Sequence, residues 1–181
     1  MNKFGFLSGI FTIILVFLQF IPLGFNFGVE GVSSIWVLTY FGVNNPVLSS
    51  FVRFPLELFS YGDRQIFLWG IIIGDELYLW FEINVLSFIF LFLISILTVI
   101  LSIVGSIKEN PTGKRLINFS LIALIFILLY SIIGIPIYSQ EILGTQFGYF
   151  DIFLYLNYGF FILILNCILA LFAYIKHPIS K

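Results

Sequence analysis

Four long runs of apolar residues constrain the fold of this chain more than any other feature. They cover residues 4–22, 84–107, 116–135 and 151–175, and Asp151 at the start of the last run is the only charged residue in them. A helix rises about 1.5 Å per residue, so runs of this length suit a hydrocarbon core about 30 Å thick. Because that core offers no water to backbone polar groups, an open chain crosses it only as helices. The sequence therefore predicts four transmembrane helices in a single integral membrane domain, residues 1–181.

The composition agrees with this class and excludes several functions. Hydrophobic residues make up 61% of the chain and charged residues only 9%, which is outside the range of soluble globular proteins. With a net charge of −1 and no basic stripe, we expect no nucleic-acid partner. The single cysteine, Cys167, allows no internal disulfide, and the single histidine, His177, cannot supply a ligand cluster. We therefore expect no metal and no cofactor.

The distribution of positive charge predicts the orientation of the chain. Six of the eight Lys and Arg residues flank one side of the four runs, and only Arg53 and Arg64 flank the other. Because positive residues stay in the cytoplasm, this side holds both termini, the loop 108–115 and the tail 176–181. The extracellular loops are then 23–83 and 136–150. We expect a multi-pass protein of the plasma membrane.

The first extracellular loop, residues 23–83, has the composition of a small folded cap. Three stretches in it are rich in β-branched and aromatic residues, which favour strands: 33–41, 65–73 and 77–83. Turn signals lie at 61–64 and 74–76. The predicted fold class is therefore an all-α membrane bundle of four helices, with a small antiparallel β-sheet in extracellular loop 1.

This loop is also rich in aromatic side chains, more than so small a unit can bury. One interpretation assigns them to the aromatic belt at the membrane surface, and the other assigns some of them to an apolar patch that contacts another protein or a lipid. Both interpretations stay open. The candidate interaction residues of the cap are Trp36, Tyr40, Phe67, Trp69 and Trp80.

The arrangement of spans and loops resembles that of the claudin and peripheral-myelin-protein-22 group of tetraspan proteins. Trp36 and the stretch Leu68-Trp69-Gly70 are loose counterparts of the tryptophan and Gly-Leu-Trp of their first loop, and the two loop cysteines are absent here. The resemblance implies cytoplasmic termini and a small extracellular sheet that mediates contacts between molecules or cells.

Small residues spaced four apart predict close contacts between helices. Gly5 and Gly9 form one such pair, and Ser102 and Ser106 form another; either pair serves packing within the bundle or association between copies. Among the polar residues inside the runs, Asn157 and Asn166 lie on opposite faces of one helix. We therefore expect separate interhelical hydrogen bonds rather than one binding site.

No catalytic motif appears in the sequence, so we expect a protein that is not an enzyme. The first hypothesis is a cell-surface, adhesion-like or accessory protein that contacts copies of itself or another membrane protein through its aromatic cap. The second is a channel or carrier for an ion, small molecule or lipid through the bundle interior. The third is a subunit of an enzyme whose active site lies on a larger partner.

Overall fold

The computed structural model describes most of the helical part of the chain and a segment of the first long loop. The described residues are 1–17, 58–62, 64–68, 70–73, 76–137, 139–140 and 144–178. Four α-helices are present in them: α1 (Lys3–Phe17), α2 (Trp80–Ile107), α3 (Pro111–Ile137) and α4 (Tyr158–Ile175). A short 3-10 helix, Asp151–Tyr155, precedes α4.

The four helices form an up-and-down bundle. Helix α1 packs against α2 and α4, and α3 packs against the same two helices from the other side. Asn2 N donates to Ser106 O at 2.8 Å, and Asn2 Nδ2 donates to Ala173 O at 2.6 Å. The start of α1 therefore lies beside the ends of α2 and α4. We call this the terminal end of the bundle and the opposite end the loop end.

Three described helical segments are long and apolar enough to cross a membrane: Ile89–Ile107, Pro111–Ile137 and Tyr158–Ile175. Large apolar side chains on their outer faces are more than half exposed, as lipid contact requires: Leu93, Ile100, Phe119, Ile133 and Phe161. The protein is therefore embedded in a membrane. The described part of the first predicted span is a shorter apolar helix, and the rest of that span, residues 18–22, lies outside the described residues.

The connection between α2 and α3 is shorter than predicted, because α3 begins at Pro111 rather than at residue 116. The side-chain oxygen of Asn110 accepts from Gly113 N at 2.8 Å and so caps the helix. Proline suits the first helical position, where a backbone N–H has no helical partner. A side chain at Gly113 would collide with the carbonyl oxygen of Lys108. The turn therefore takes only residues 108–110.

Three other helix bounds differ from the prediction. Helix α2 begins at Trp80 rather than at residue 84, directly after a strand. Helix α3 continues through Pro136 to Ile137, two residues past the predicted end of the third run at residue 135. The last apolar run is not one helix: Asn157 has an extended backbone and its side chain accepts from Tyr158 N, so it caps α4 and separates it from the 3-10 helix.

Four short strands precede α2: β1 (Phe59–Tyr61), β2 (Arg64–Phe67), β3 (Gly70–Ile73) and β4 (Glu76–Leu79). Each pairs antiparallel with the next one along the chain. Gly62 has a φ of +57° in the β1–β2 turn, a conformation that favours glycine. The stretch 65–73, predicted as one extended segment, is divided by a turn at Leu68, and the stretch 77–83 turns into helix at Trp80.

The small antiparallel sheet predicted for extracellular loop 1 stays a prediction as a whole. Its first predicted strand, residues 33–41, lies outside the described residues. Nor are the side chains of β3 and β4 among those described.

Strand β1 is attached to the loop end of the bundle. Asn157 N donates to Leu58 O at 2.9 Å, and Phe59 forms a bridge with Leu156. A buried apolar cluster joins the strands to the helices: Leu15, Val16, Leu58, Phe59, Ile66, Leu68, Leu91, Ile127, Ile135, Ile152, Phe160 and Leu163. Full burial of one such side chain contributes about 1.5–3 kcal/mol. This core therefore holds β1 in a defined place on the bundle.

Candidate interaction surface and helix-packing seam

Gly5, Gly9, Ser102 and Ser106 lie together in the contact between α1 and α2, and all four are buried. Ser102 Oγ donates to Gly5 O at 2.6 Å. A Cβ at Gly5 would overlap Ser106 Oγ, and a Cβ at Gly9 would lie 2.8 Å from a side-chain carbon of Ile103. Larger residues at these positions would therefore push the two helices apart. In the structure these residues serve packing within the bundle.

Small residues with hydroxyl groups form a row along α2 that continues the contact between α1 and α2. Ser95, Thr98, Ser102 and Ser106 recur every three or four residues and are all buried. The hydroxyls of Ser95, Thr98 and Ser106 donate to the carbonyl four residues earlier. These bonds satisfy the hydroxyl groups in a region that has no water. Sequence reasoning found only the last two members, although the spacing of the other two extends the same pattern.

A second polar contact joins α1 to α4 in the middle of the bundle. Ser8 Oγ donates to Asn166 Oδ1 at 2.7 Å, and Asn166 Nδ2 donates to Thr12 Oγ1 at 2.9 Å. Thr12 Oγ1 in turn donates to Ser8 O at 2.9 Å. All three residues are buried. Asn166 therefore makes an interhelical hydrogen bond, as predicted, whereas Asn157 caps α4 and does not share its site.

A buried cluster around Asn2 and His177 closes the terminal end. Asn2 Nδ2 donates to Ala173 O at 2.6 Å, and Asn2 Oδ1 accepts from Gly5 N at 3.3 Å, so backbone groups define the orientation of this amide. His177 Nδ1 lies 3.1 Å from Asn2 Nδ2 and therefore accepts, while Nε2 lies 3.0 Å from Lys108 O and therefore donates. Both ring nitrogens of His177 therefore have a hydrogen-bond partner. The sequence analysis assigned His177 to the tail 176–181, and no sequence pattern indicated this contact.

An aromatic cluster lies at the loop end, where β1 meets the segment between α3 and α4. The Phe59 ring lies 5.9 Å from that of Phe153 and 5.7 Å from that of Phe160. The Tyr61 ring lies 5.3 Å from that of Phe147 and 4.5 Å from that of Tyr155. Aromatic pairs at these distances add about 0.5–1.5 kcal/mol each to burial. The two loops are therefore packed against each other.

Outside this cluster, a group of apolar side chains points away from the core. We call it the loop-end patch: Tyr149, Phe150, Leu154 and Tyr158, which are 56%, 74%, 78% and 65% exposed. The backbone beneath it is held by hydrogen bonds, because Gly148 N donates to an Asp151 carboxylate oxygen at 2.6 Å and Gly148 O accepts from Ser139 Oγ at 3.0 Å. Sequence reasoning missed the patch because it looked for aromatic surface in the first loop alone.

The cap residues predicted from the sequence are only partly described. Trp36, Tyr40 and Trp69 lie outside the described residues. Phe67 is the last residue of β2, where its backbone pairs with Gly70, and Trp80 is the first residue of α2. Their side chains are not among those described, so their role in contacts stays a prediction.

A small cavity lies between the described helices at the loop end. Its volume is about 10 Å³, which is room for about one water molecule. Thr12 is the only residue of its wall with a polar side chain; the others are Leu15, Val16, Leu58, Leu68, Leu124, Ile127 and Leu163. Within the described ranges, no three His, Cys, Asp or Glu residues come together as metal ligands would.

No protein-family model, no curated protein and no solved structure matches this chain. The resemblance to the claudin group therefore stays a prediction. The function has to be inferred from the chemistry of the surfaces and contacts described above.

Proposed function

We propose that this chain is a non-catalytic tetraspan membrane protein that acts through protein–protein contacts made at the loop end of the bundle. In this proposal the loop end is extracellular, the termini are cytoplasmic and the protein resides in the plasma membrane. The partner is a second copy of the chain or another membrane protein. The observation that carries the proposal is the loop-end patch.

The patch has the properties of a binding surface rather than of a poorly folded loop. Leu154 of the patch belongs to the 3-10 helix Asp151–Tyr155. On the inner side of this helix, Ile152 is fully buried and Phe153 packs on Phe59. Phe150 and Leu154 point outward from this support. Large aromatic side chains offer much contact area at a low cost in conformational entropy. A few well-packed residues carry most of the energy of a protein interface.

The charges of the segment that carries the patch favour a protein partner over an anionic lipid surface. Residues 136–158 contain Glu141 and Asp151 but no lysine or arginine. Segments that bind anionic membranes carry basic residues beside their apolar ones. A segment with acidic residues only lacks that attraction.

The resemblance to the claudin group supports the same proposal. Residues 1–3 and 176–178 lie at one end of the bundle, and the strands lie at the other end, directly before α2. We propose that β1–β4 belong to the extracellular cap that carries Trp36, Trp69 and the other candidate residues. Tyr61 of β1 contacts Phe147 and Tyr155, so a partner bound to that cap would reach the loop-end patch as well.

No feature of the described residues favours the channel or carrier alternative. Such a protein needs a polar or roomy path between its helices. The cavity beside Thr12 has a volume of about 10 Å³, and the polar atoms of Ser8 and Asn166 bind each other. The accessory-subunit hypothesis is compatible with the loop-end patch and differs only in the identity of the partner.

The proposal is tested by the mass of the protein extracted in mild detergent and by the proteins that purify with it. We expect a species larger than the monomer for the natural chain and a monomer for Phe150→Ser and Leu154→Ser. Ile107→Ser is the matched control, because Ile107 is 61% exposed but lies at the terminal end; it should leave the mass unchanged. A natural chain that is monomeric and without a co-purifying protein at every concentration would refute the proposal, as would equal dissociation of the control.

A further inference from the structure

The terminal end of the bundle is strongly basic. Five described cations lie in or next to the helix ends there: Lys3, Lys108, Lys114, Arg115 and Lys176. Glu109 is the one acidic residue of the described part at this end, and it is paired with the amino group of Met1. This end of the protein therefore attracts anions.

Lys176 occupies a particular position within this basic end. Its ammonium lies 5.6 Å from the centre of the Phe4 ring and 5.7 Å from that of the Phe172 ring. The two rings are themselves 6.1 Å apart and belong to α1 and α4. Lys176 therefore stands over the groove between these helices, held by cation–π attraction.

The two rings show where this groove lies relative to the bilayer. Phe4 is 37% and Phe172 is 43% exposed, on the outside of the bundle where apolar side chains face lipid. A cation directly beyond lipid-facing rings stands at the depth of the lipid phosphates, since long basic side chains extend from apolar surface to the headgroups. In the described part, no carboxylate forms a salt bridge with Lys176.

We propose that the groove between α1 and α4 at the terminal end binds an anionic phospholipid, with its phosphate on Lys176 and an acyl chain along Phe4 and Phe172. Lys3 is exposed and directly precedes Phe4, so it adds positive charge on the α1 side of the groove. The surrounding cations favour a lipid with net negative charge over a zwitterionic one, whose choline or ethanolamine group they would repel.

Lys114 provides an internal comparison. Its ammonium lies 5.0 Å from the centre of the Tyr174 ring, so it also makes a cation–π contact with α4. Tyr174, however, is partly buried and packs against the apolar cluster of Leu121, Leu124 and Ala170. This contact joins α3 to α4, and the proposed lipid site does not include it.

The test is native mass spectrometry of the full chain with phosphatidylglycerol, with phosphatidylcholine of the same acyl chains, and with glycerol phosphate. Loss of one basic contact at an anionic membrane surface weakens binding about fivefold. We therefore expect Lys176→Gln to weaken phosphatidylglycerol binding about fivefold and Lys114→Gln to weaken it less than twofold. Lys176→Arg should retain binding, because arginine also holds a phosphate.

Three results would overturn the proposal. Equal binding of phosphatidylcholine would show that charge is not recognised. Equal losses in Lys176→Gln and Lys114→Gln would show a diffuse basic field rather than a site. Equal binding of glycerol phosphate would show a phosphate site without a lipid. Unchanged helicity by circular dichroism confirms that each variant is folded. If Lys176→Gln does not fold, Lys176→Arg becomes the test, and weak lipid binding by the folded Lys176→Arg protein counts against the site.

Discussion

The contact between α1 and α2 leads to the most quantitative prediction. In Gly5→Ala, the new Cβ would overlap Ser106 Oγ and lie 3.1 Å from Ile117 Cδ1. Overpacking of this kind costs about 1–3 kcal/mol. Separation of the helices would also break the bond from Ser102 Oγ to Gly5 O, which is 2.6 Å long, and such a bond contributes about 0.6–2 kcal/mol in a membrane. The higher helix propensity of alanine offsets about 1 kcal/mol of this loss in the free energy of unfolding.

The expected net effect of Gly5→Ala is a loss of about 2 kcal/mol in the free energy of unfolding. The assay is reversible unfolding in mixed micelles by an increasing fraction of denaturing detergent, followed by circular dichroism. Gly134→Ala is the control, because the three atoms nearest to its Cβ all belong to the Tyr130 ring of its own helix, the nearest at 3.2 Å. It should change the free energy of unfolding by less than 1 kcal/mol.

A double-mutant cycle identifies the cause of this loss. Ser106→Ala removes the oxygen that the new Cβ would overlap, so Gly5→Ala should cost at least about 1 kcal/mol less in the Ser106→Ala background. An equal cost in both backgrounds would refute the steric reasoning. So would a Gly5→Ala protein that is more stable than the natural chain.

Three further predictions concern the polar and aromatic contacts. Asn166→Ala leaves the buried hydroxyls of Ser8 and Thr12 without this partner and should lower the free energy of unfolding by about 1–3 kcal/mol. The control Asn118→Ala, at a half-buried position, should lower it by less, and equal losses would contradict the prediction. Phe59→Ala should cost about 3–5 kcal/mol and raise hydrogen exchange in β1, whereas the exposed Phe119→Ala should do neither. Asn2→Ala removes the hydrogen bonds to Ala173 O and His177 and should speed hydrogen exchange at the Lys176 amide, which donates to Phe172 O. Unchanged exchange would show that the cluster does not hold the end of α4.

The sequence predicts the helical packing better than it predicts the surfaces. The spacing of Gly5 and Gly9 and of Ser102 and Ser106 indicates close helix contacts, since only small residues let two backbones approach in a membrane. It does not show that the two pairs face each other. The burial of His177 was not predictable, because a single polar residue after a helix carries no periodic signal that tells which neighbour it meets.

The predicted bounds of the last apolar run were wrong because a local capping interaction overrides the composition. An apolar residue is equally compatible with a 3-10 turn and with a helix, so residues 151–175 read as one run. Asn157 divides it because its side chain caps α4 in the folded chain. The sequence also did not show which side of the 3-10 helix is exposed. Which of its apolar residues face outward depends on how Ile152 and Phe153 pack against the core.

The sequence alone determined that this chain contains helices that cross a membrane, because the bilayer demands apolar segments of a minimum length and those segments can be counted. The tertiary structure alone decided which polar groups meet in the interior and which apolar groups remain outside. The physical reason is that a helical period defines a face, whereas hydrogen bonds such as that from Ser8 to Asn166 depend on which helix covers that face.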